Sequence, residues 1–243
     1  MSQRWSRLRS FCTLPFTDAL FGLDRCLVPG VAGLVLAGVG LVVGWWLYVP
    51  LHELLHAWAC LATGGTVDRL EIDAFYGGAL LAGWFPWVVS GSEYAGRLAG
   101  FQTGGSDWVY LATDFGPYLL TLFPGAWLLR RAAATGASLL YGFSLPMALA
   151  PLVALIGDAY EIGSIVVTQL PPWSASHISG LLRGDDLFHR ISALAEGGSV
   201  AAWAGLVLAA VIGVLWALAT YNLADLVARV LGQPPVQPLE RPE

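Results

Sequence analysis

Residues 30–62 read GVAGLVLAGVGLVVGWWLYVPLHELLHAWACLA, an apolar run whose only charged or imidazole side chains are His52, Glu53 and His56. A helix needs about 20 such residues to cross roughly 30 Å of hydrocarbon. The run therefore predicts a membrane-spanning helix. Pro50 lies inside it and marks a place where the helix would bend.

Three further apolar segments follow, at about residues 107 to 129, 139 to 168 and 200 to 230. The 243 residues are 56% hydrophobic and 12% charged, with a mean hydropathy of +0.65, which is too apolar for an ordinary soluble domain. We predict an all-α polytopic membrane helix bundle with about four transmembrane helices. It would be a multi-pass integral protein of a bacterial-type cell membrane, with the lipid bilayer as its surroundings.

The segment between the first two apolar runs is rich in glycine, and residues 66–73 alternate apolar and polar side chains. Alternation with period two is typical of a β-strand, so this loop is predicted to be partly β-like. No second soluble domain is indicated. Residues 1–232 are expected to form one membrane domain, and the proline-rich residues 233–243 a disordered C-terminal tail.

Charge and cysteine content exclude several classes of function. The net charge of −5 is spread along the chain without a run of like charges, so no nucleic-acid partner is expected. The three cysteines, Cys12, Cys26 and Cys60, have no paired spacing and indicate no disulfide framework. The sequence leaves the oligomeric state open.

The chemistry of the chain is concentrated in His52-Glu53-Leu54-Leu55-His56. Two histidines four residues apart lie on one face of a helix, where both imidazoles can bind one zinc ion (Zn2+). Glu53 would lie beside that ion and act as the general base that takes a proton from a water on the zinc. Ionisable groups in an apolar span are costly, which favours a functional metal site over a chance match.

A catalytic zinc of this type needs a third protein ligand and keeps one position for water. At 1.5 Å of rise per residue, the motif lies about 13 Å from the end of its predicted span, Asp158 about 15 Å and Asp114 about 10 Å. If successive spans alternate in direction, the end of the first span, the start of the second and the end of the third lie on the same side of the membrane. The similar depths support a shared site, and we expect Asp158 to be the third metal ligand, with Asp114 and Glu161 as alternatives.

With the His-Glu-Leu-Leu-His motif inside a span, followed by ATGGTVDRLEI at residues 62–72, the chain resembles the site-2 protease family of intramembrane zinc metallopeptidases. In that family the third ligand is an aspartate from a later span, usually in a Leu-Asp-Gly sequence, and Gly157-Asp158-Ala159 stands at that place here. Phe115-Gly116-Pro117 is similar to the Gly-Pro of an intervening helix of the family.

The resemblance implies a zinc metalloendopeptidase of the HExxH type that hydrolyses peptide bonds of membrane-embedded protein substrates. Because a substrate helix must open before cleavage, residues 67–73 are expected to pair with the opened strand. The alternative is a noncatalytic membrane protein that binds or transports metal, since histidines and carboxylates in spans also line ion pathways. Glu53 separates the two hypotheses, because hydrolysis needs a general base next to the first histidine and an ion pathway does not.

Overall fold

The computed structural model describes residues 3–238, which form a mostly helical chain with a small three-stranded sheet. The helices and strands are α1 (Gln3–Cys26), α2 (Val31–Ala62), β1 (Thr66–Ile72), α3 (Gly78–Ala82), β2 (Val88–Ser90), β3 (Gly96–Gln102), α4 (Asp107–Phe115), α5 (Ala126–Thr135), α6 (Ser138–Ala148), α7 (Ala150–Val153), α8 (Asp158–Val167), α9 (Ser176–Leu182), α10 (Leu187–Ala195) and α11 (Val200–Val230). Short 3₁₀ turns lie at Ala74–Tyr76 and Gly116–Tyr118, and a π-helical turn at Thr121–Gly125.

Two of the predicted apolar segments form continuous helices. Helix α2 has 32 residues and α11 has 31, so each is roughly 46–48 Å long and, by length and composition, can cross a membrane. Ser199 caps the start of α11, and its hydroxyl accepts a hydrogen bond from the amide of Ala202 at 3.2 Å. Helix α2 ends where Gly64 adopts a φ of 97°, a left-handed conformation that glycine takes without strain.

The other two apolar segments are divided into shorter helices, in contrast to the continuous helices expected there. Residues 107–129 contain α4, the two irregular turns and the start of α5, and residues 139–168 contain α6, α7 and α8. Pro117, Pro124 and Pro151 lack the amide hydrogen that a helix interior needs. Gly157, with φ −105° and ψ −112°, separates α7 from α8. Their helical lengths alone therefore do not identify these segments as spans.

The glycine-rich segment forms the sheet, in the order β2-β1-β3. Strand β1 pairs with β2 in parallel, Leu70 opposite Val88, and with β3 in the antiparallel sense, Leu70 opposite Leu98. The strand predicted from the alternation at residues 66–73 is thus confirmed. The expectation that residues 67–73 pair with a substrate strand is contradicted at residues 70–72, which pair with β2 on one edge and with β3 on the other. For the rest of the range it stays a prediction.

Helix α2 is the element against which the rest of the site is assembled. A buried apolar cluster packs the sheet on α2, and its members are Leu54, Ala57, Leu70, Ile72 and Val88. A Cβ on Gly142 would overlap the backbone of α2 at Ala37, and one on Gly116 would overlap it at Leu55. The absence of a side chain at these two glycines lets α6 and the Gly116–Tyr118 turn approach α2 closely.

A buried ion network ties α1 and α11 to α5. The side chain of Arg130 is fully buried, lies 3.2 Å from the carboxylate of Asp18 and contacts the carboxylate of Asp225. Nearby, Arg25 donates a hydrogen bond to the backbone oxygen of Gln237 at 2.9 Å. Residues 233–238 have no regular secondary structure. Residues 239–243 of the predicted tail lie outside the described residues, so its disorder stays a prediction.

Candidate metal centre

The structure brings His52, His56 and Asp158 together. The Nε2 atoms of the two histidines are 3.1 Å apart. Asp158 Oδ2 lies 3.3 Å from His52 Nε2, and Asp158 Oδ1 lies 3.7 Å from His56 Nε2. Two turns of α2 and the first residue of α8 therefore supply a group that could bind a metal ion.

The spacing of these donor atoms fits a single ion. Ligand atoms bound tetrahedrally at about 2.0–2.1 Å lie about 3.3 Å apart. The two histidine Nε2 atoms are 3.1 Å apart and His52 Nε2 is 3.3 Å from Asp158 Oδ2, close to that value, while His56 Nε2 is 3.7 Å from the other carboxylate oxygen, Oδ1. Within residues 3–238, Asp158 Oδ2 is also a buried atom without a hydrogen-bond partner. A cation at this point would satisfy that oxygen.

The Nδ1 atoms of both histidines have hydrogen-bond partners that orient the rings. His56 Nδ1 lies 2.8 Å from the backbone oxygen of Thr113, which can only accept, so Nδ1 carries a proton and Nε2 is the nitrogen that can bind a metal ion. His52 Nδ1 lies 2.7 Å from the hydroxyl of Tyr48. Such partners of metal-binding histidines fix the tautomer and the direction of the ligand atom.

Asp158 owes its position to the break between α7 and α8. Gly157 has no side chain to cap α8, and Asp158 is the first residue of that helix. The unpaired amides and the dipole at a helix N-terminus favour a carboxylate there. A continuous helix through residues 139–168 would have placed Asp158 in its interior without this support.

The two alternative ligands lie in the same cavity but outside the ligand group. Asp114, on α4, and Glu161, one turn after Asp158, line the cavity together with the three ligands, yet in the part of the chain that is described the metal-binding group contains neither. Glu161 instead accepts a hydrogen bond from the hydroxyl of Tyr110. The geometry thus favours Asp158 among the three candidates.

Glu53 lines the cavity beside the ligand group and is held there by β3. The backbone amide of Leu98 in β3 lies close enough to the Glu53 carboxylate to favour the charged form. A Cβ on Gly96 would lie 2.5 Å from Glu53 Cγ and 3.1 Å from Cδ, closer than nonbonded carbon atoms pack. Glycine at position 96 therefore makes room for the Glu53 side chain between helix and strand.

The cavity has a volume of about 760 Å³ and lies between α2, β3, α4, α8 and the segment that joins α9 to α10. That segment is attached at two points. Leu187 donates a backbone hydrogen bond to Ile156 at 3.0 Å, and Arg183 forms a bidentate ion pair with Asp107 at 2.6 and 2.9 Å. Asp185 and Asp186 of the segment, together with His189 in the first turn of α10, form one wall of the cavity.

Several residues of the site were not predicted from the sequence. Tyr48 lies four residues before His52, so helical spacing could have indicated it as a partner of that ring. Thr113 acts through its backbone oxygen and Gly96 through its lack of a side chain, and neither has a signal in a single sequence. Comparisons with family models, with curated proteins and with solved structures gave no match to this chain.

Proposed function

We propose that this chain is an intramembrane zinc metalloendopeptidase of the site-2 protease type, which hydrolyses peptide bonds of membrane-embedded protein substrates. The observation that carries the proposal is the position of Glu53. It shares one cavity with His52, His56 and Asp158 and directly follows the first histidine. A peptidase needs a carboxylate at this place, and a metal-binding or transport protein does not.

The donor set favours zinc. Two neutral imidazoles and one carboxylate, with a remaining position open to a cavity, are the ligands typical of a catalytic zinc. A site for Mg²⁺ or Ca²⁺ would consist mainly of oxygen atoms. When bound, zinc would acidify a water molecule and polarise the scissile carbonyl.

The residues of the chain would carry out the proton transfers. Glu53 accepts the proton of the attacking water and later gives it to the leaving amide nitrogen, the usual role of a positioned general base. The Leu98 amide and the gap at Gly96 fix its carboxylate for this role. Tyr48 and Thr113 keep the lone pairs of the two histidines directed at the ion.

The membrane setting is supported by the exposed surface of the two long helices. Only 33% of the most apolar window of each is buried, whereas the core helix of a soluble protein would be covered. Exposed apolar side chains include Val35, Val39 and Val42 on α2, and Val207, Val211 and Leu215 on α11. We infer that these faces contact lipid in a bacterial-type cell membrane.

The divided segments 107–129 and 139–168 complete a four-segment, multi-pass bundle in this proposal. Interrupted backbone at membrane depth is tolerated where it lines a water-filled cavity or is buried in protein. The interruption at Gly157 lines the cavity, and Gly116 and Pro117 are buried. The cavity would also admit the water that hydrolysis consumes.

The experiment compares the full-length protein with its Glu53→Gln and His56→Ala variants in membranes from expressing cells. New protein termini are quantified by mass spectrometry, and zinc is measured in the purified proteins. Glutamine keeps the size of the side chain but cannot accept the proton, so Glu53→Gln should retain zinc and generate no new termini. His56→Ala should lose both zinc and cleavage.

The same experiment separates peptidase from transporter. A metal-binding or transport protein predicts the same termini in the wild type and in Glu53→Gln. If Glu53→Gln has the same zinc content as the wild type and both samples contain the same new termini, the peptidase function is rejected.

A further inference from the structure

Two acidic side chains of the cavity have no role in the proposed hydrolysis. Asp114 and Glu161 are 3% and 7% exposed, and both line the cavity outside the metal-binding group. Asp114 Oδ2 is fully buried and has no hydrogen-bond partner within residues 3–238. A buried carboxylate oxygen without a partner is costly, so its presence in a cavity points to a ligand that supplies the missing contact.

The cavity is acidic even after the metal site is set aside. Apart from Glu53 and Asp158, its lining has four carboxylates, Asp114, Glu161, Asp185 and Asp186, and two guanidinium groups, Arg97 and Arg190. Arg97 lies over the ring of Tyr94, 5.7 Å from the ring centre. In the described part of the chain, Asp114 and Glu161 form no ion pair within 4.0 Å.

We propose that Asp114 and Glu161 form a pocket for a basic side chain of the substrate, with arginine as the best fit. This inference rests on the proposed peptidase function and names its substrate class: a membrane-embedded segment with a cationic residue close to the bond that is cleaved. Carboxylates bind guanidinium through charge-assisted, often bidentate hydrogen bonds. A cationic residue in an apolar segment is itself costly to place in lipid, so the pocket would select and stabilise it.

Aromatic groups beside the carboxylates suit the same ligand. Tyr110 donates its hydroxyl hydrogen bond to Glu161, and its ring packs edge-to-face with Phe101 at 5.5 Å between centres. Both rings line the cavity. The face of an aromatic ring attracts guanidinium, so the pocket combines charge with a flat surface.

A second metal ion is a poorer occupant of this place. Among residues 3–238, the one group of histidine, cysteine and carboxylate atoms close enough to hold an ion is that of His52, His56 and Asp158. Ca²⁺ takes six to eight oxygen ligands, and Asp114 and Glu161 could supply at most four. A side chain that brings its own hydrogen-bond donors has no such requirement.

The test measures binding without requiring cleavage. Zinc-loaded Glu53→Gln protein in detergent micelles is titrated with a fluorescent apolar peptide of about 20 residues that carries one central arginine. The matched peptide carries citrulline, which has the same shape without the charge. Fluorescence anisotropy should show that the arginine peptide binds about tenfold tighter or more.

Variants test whether Asp114 and Glu161 cause the preference for the arginine peptide. Adding Asp114→Asn and Glu161→Gln should bring the two affinities to within about twofold of each other. The control Glu196→Gln removes one negative charge, as Asp114→Asn alone does, but at an exposed residue outside the cavity, and should keep the preference. Zinc content and thermal unfolding report whether each variant folds, and Asp114→Asn alone is used if the combined variant does not.

The outcomes distinguish the pocket from the peptidase. Equal affinities for the two peptides, or a preference that survives both substitutions, would overturn the pocket. If neither peptide binds, N-acetylarginine methylamide and its citrulline analogue are compared by thermal stabilisation, and equal shifts also overturn it. A preference for arginine in a protein whose wild type cleaves neither peptide nor any membrane protein would reject the peptidase and leave the pocket standing.

Discussion

Replacing Tyr48 by phenylalanine should weaken zinc binding while leaving all three metal ligands in place. The Tyr48 hydroxyl lies 2.7 Å from His52 Nδ1. With His52 Nε2 bound to the ion, Nδ1 carries a proton and donates it to the tyrosine oxygen. In the variant this donor is left without a partner in a site where Tyr48 is 4% exposed.

The size of the effect follows from that lost bond. A buried donor without an acceptor costs about 1–3 kcal/mol, which corresponds to a factor of roughly 5 to 150 in affinity. This cost applies mainly when zinc is bound. Without zinc, the His52 ring can carry its proton on Nε2 instead of Nδ1, which removes the unpaired donor. Loss of an outer partner of a metal-binding histidine typically reduces affinity by about 10- to 100-fold, so the two estimates agree.

The assay is a competition between the detergent-solubilised protein and a zinc-chelating dye, with Tyr141→Phe as the matched control. The Tyr141 hydroxyl donates a hydrogen bond of the same length, 2.7 Å, to the backbone oxygen of Ala19 in α1. The control should lose some thermal stability and keep its zinc affinity. An unchanged zinc affinity in Tyr48→Phe, or equal losses in both variants, would refute the assigned role of Tyr48.

Three further predictions concern other parts of the molecule. Asp158→Ala should remove most zinc from the purified protein and Asp114→Ala little, as measured by elemental analysis; equal losses would reject Asp158 as the third ligand. Gly96→Ala should displace Glu53, reducing cleavage at least about tenfold while zinc content stays near wild type; full activity would contradict the close contact. Arg130→Ala leaves the buried carboxylate of Asp18 without an ion-pair partner, whereas Asp225 keeps Arg229 at 2.9 Å; the change should cost about 3–5 kcal/mol of stability, and an unchanged thermal midpoint would argue against the ion network.

The sequence allowed the long elements and the motif to be predicted well. Segments predicted at residues 30–62 and 200–230 coincide with α2 (Val31–Ala62) and α11 (Val200–Val230). The alternation at residues 66–73 matches β1. These features depend on local patterns, namely apolar length and side-chain period, and such patterns are visible in one sequence.

The remaining features depend on contacts between distant residues. Depth in a span placed Asp158 and Asp114 close together. In the structure Asp158 is the first residue of α8, after the break at Gly157, and lies 3.3 Å from His52. The pairing of β1 on both edges depends on β2 and β3, which lack a clear alternation. The approach of the Leu98 amide to Glu53 and the space that Gly96 leaves for Glu53 likewise require the packed sheet.

The division of the ligands between α2 and α8 has a thermodynamic consequence. Asp158 follows His52 by 106 residues (158 − 52), so an ion bound to both would act as a cross-link between the first and second halves of the chain. A cross-link that closes a loop of about 100 residues can remove at most about 4–5 kcal/mol of conformational entropy from the unfolded state. Zinc would then contribute to the stability of the fold as well as to peptide hydrolysis. A chelator would therefore weaken the contact between the two halves of the chain even when no substrate is present.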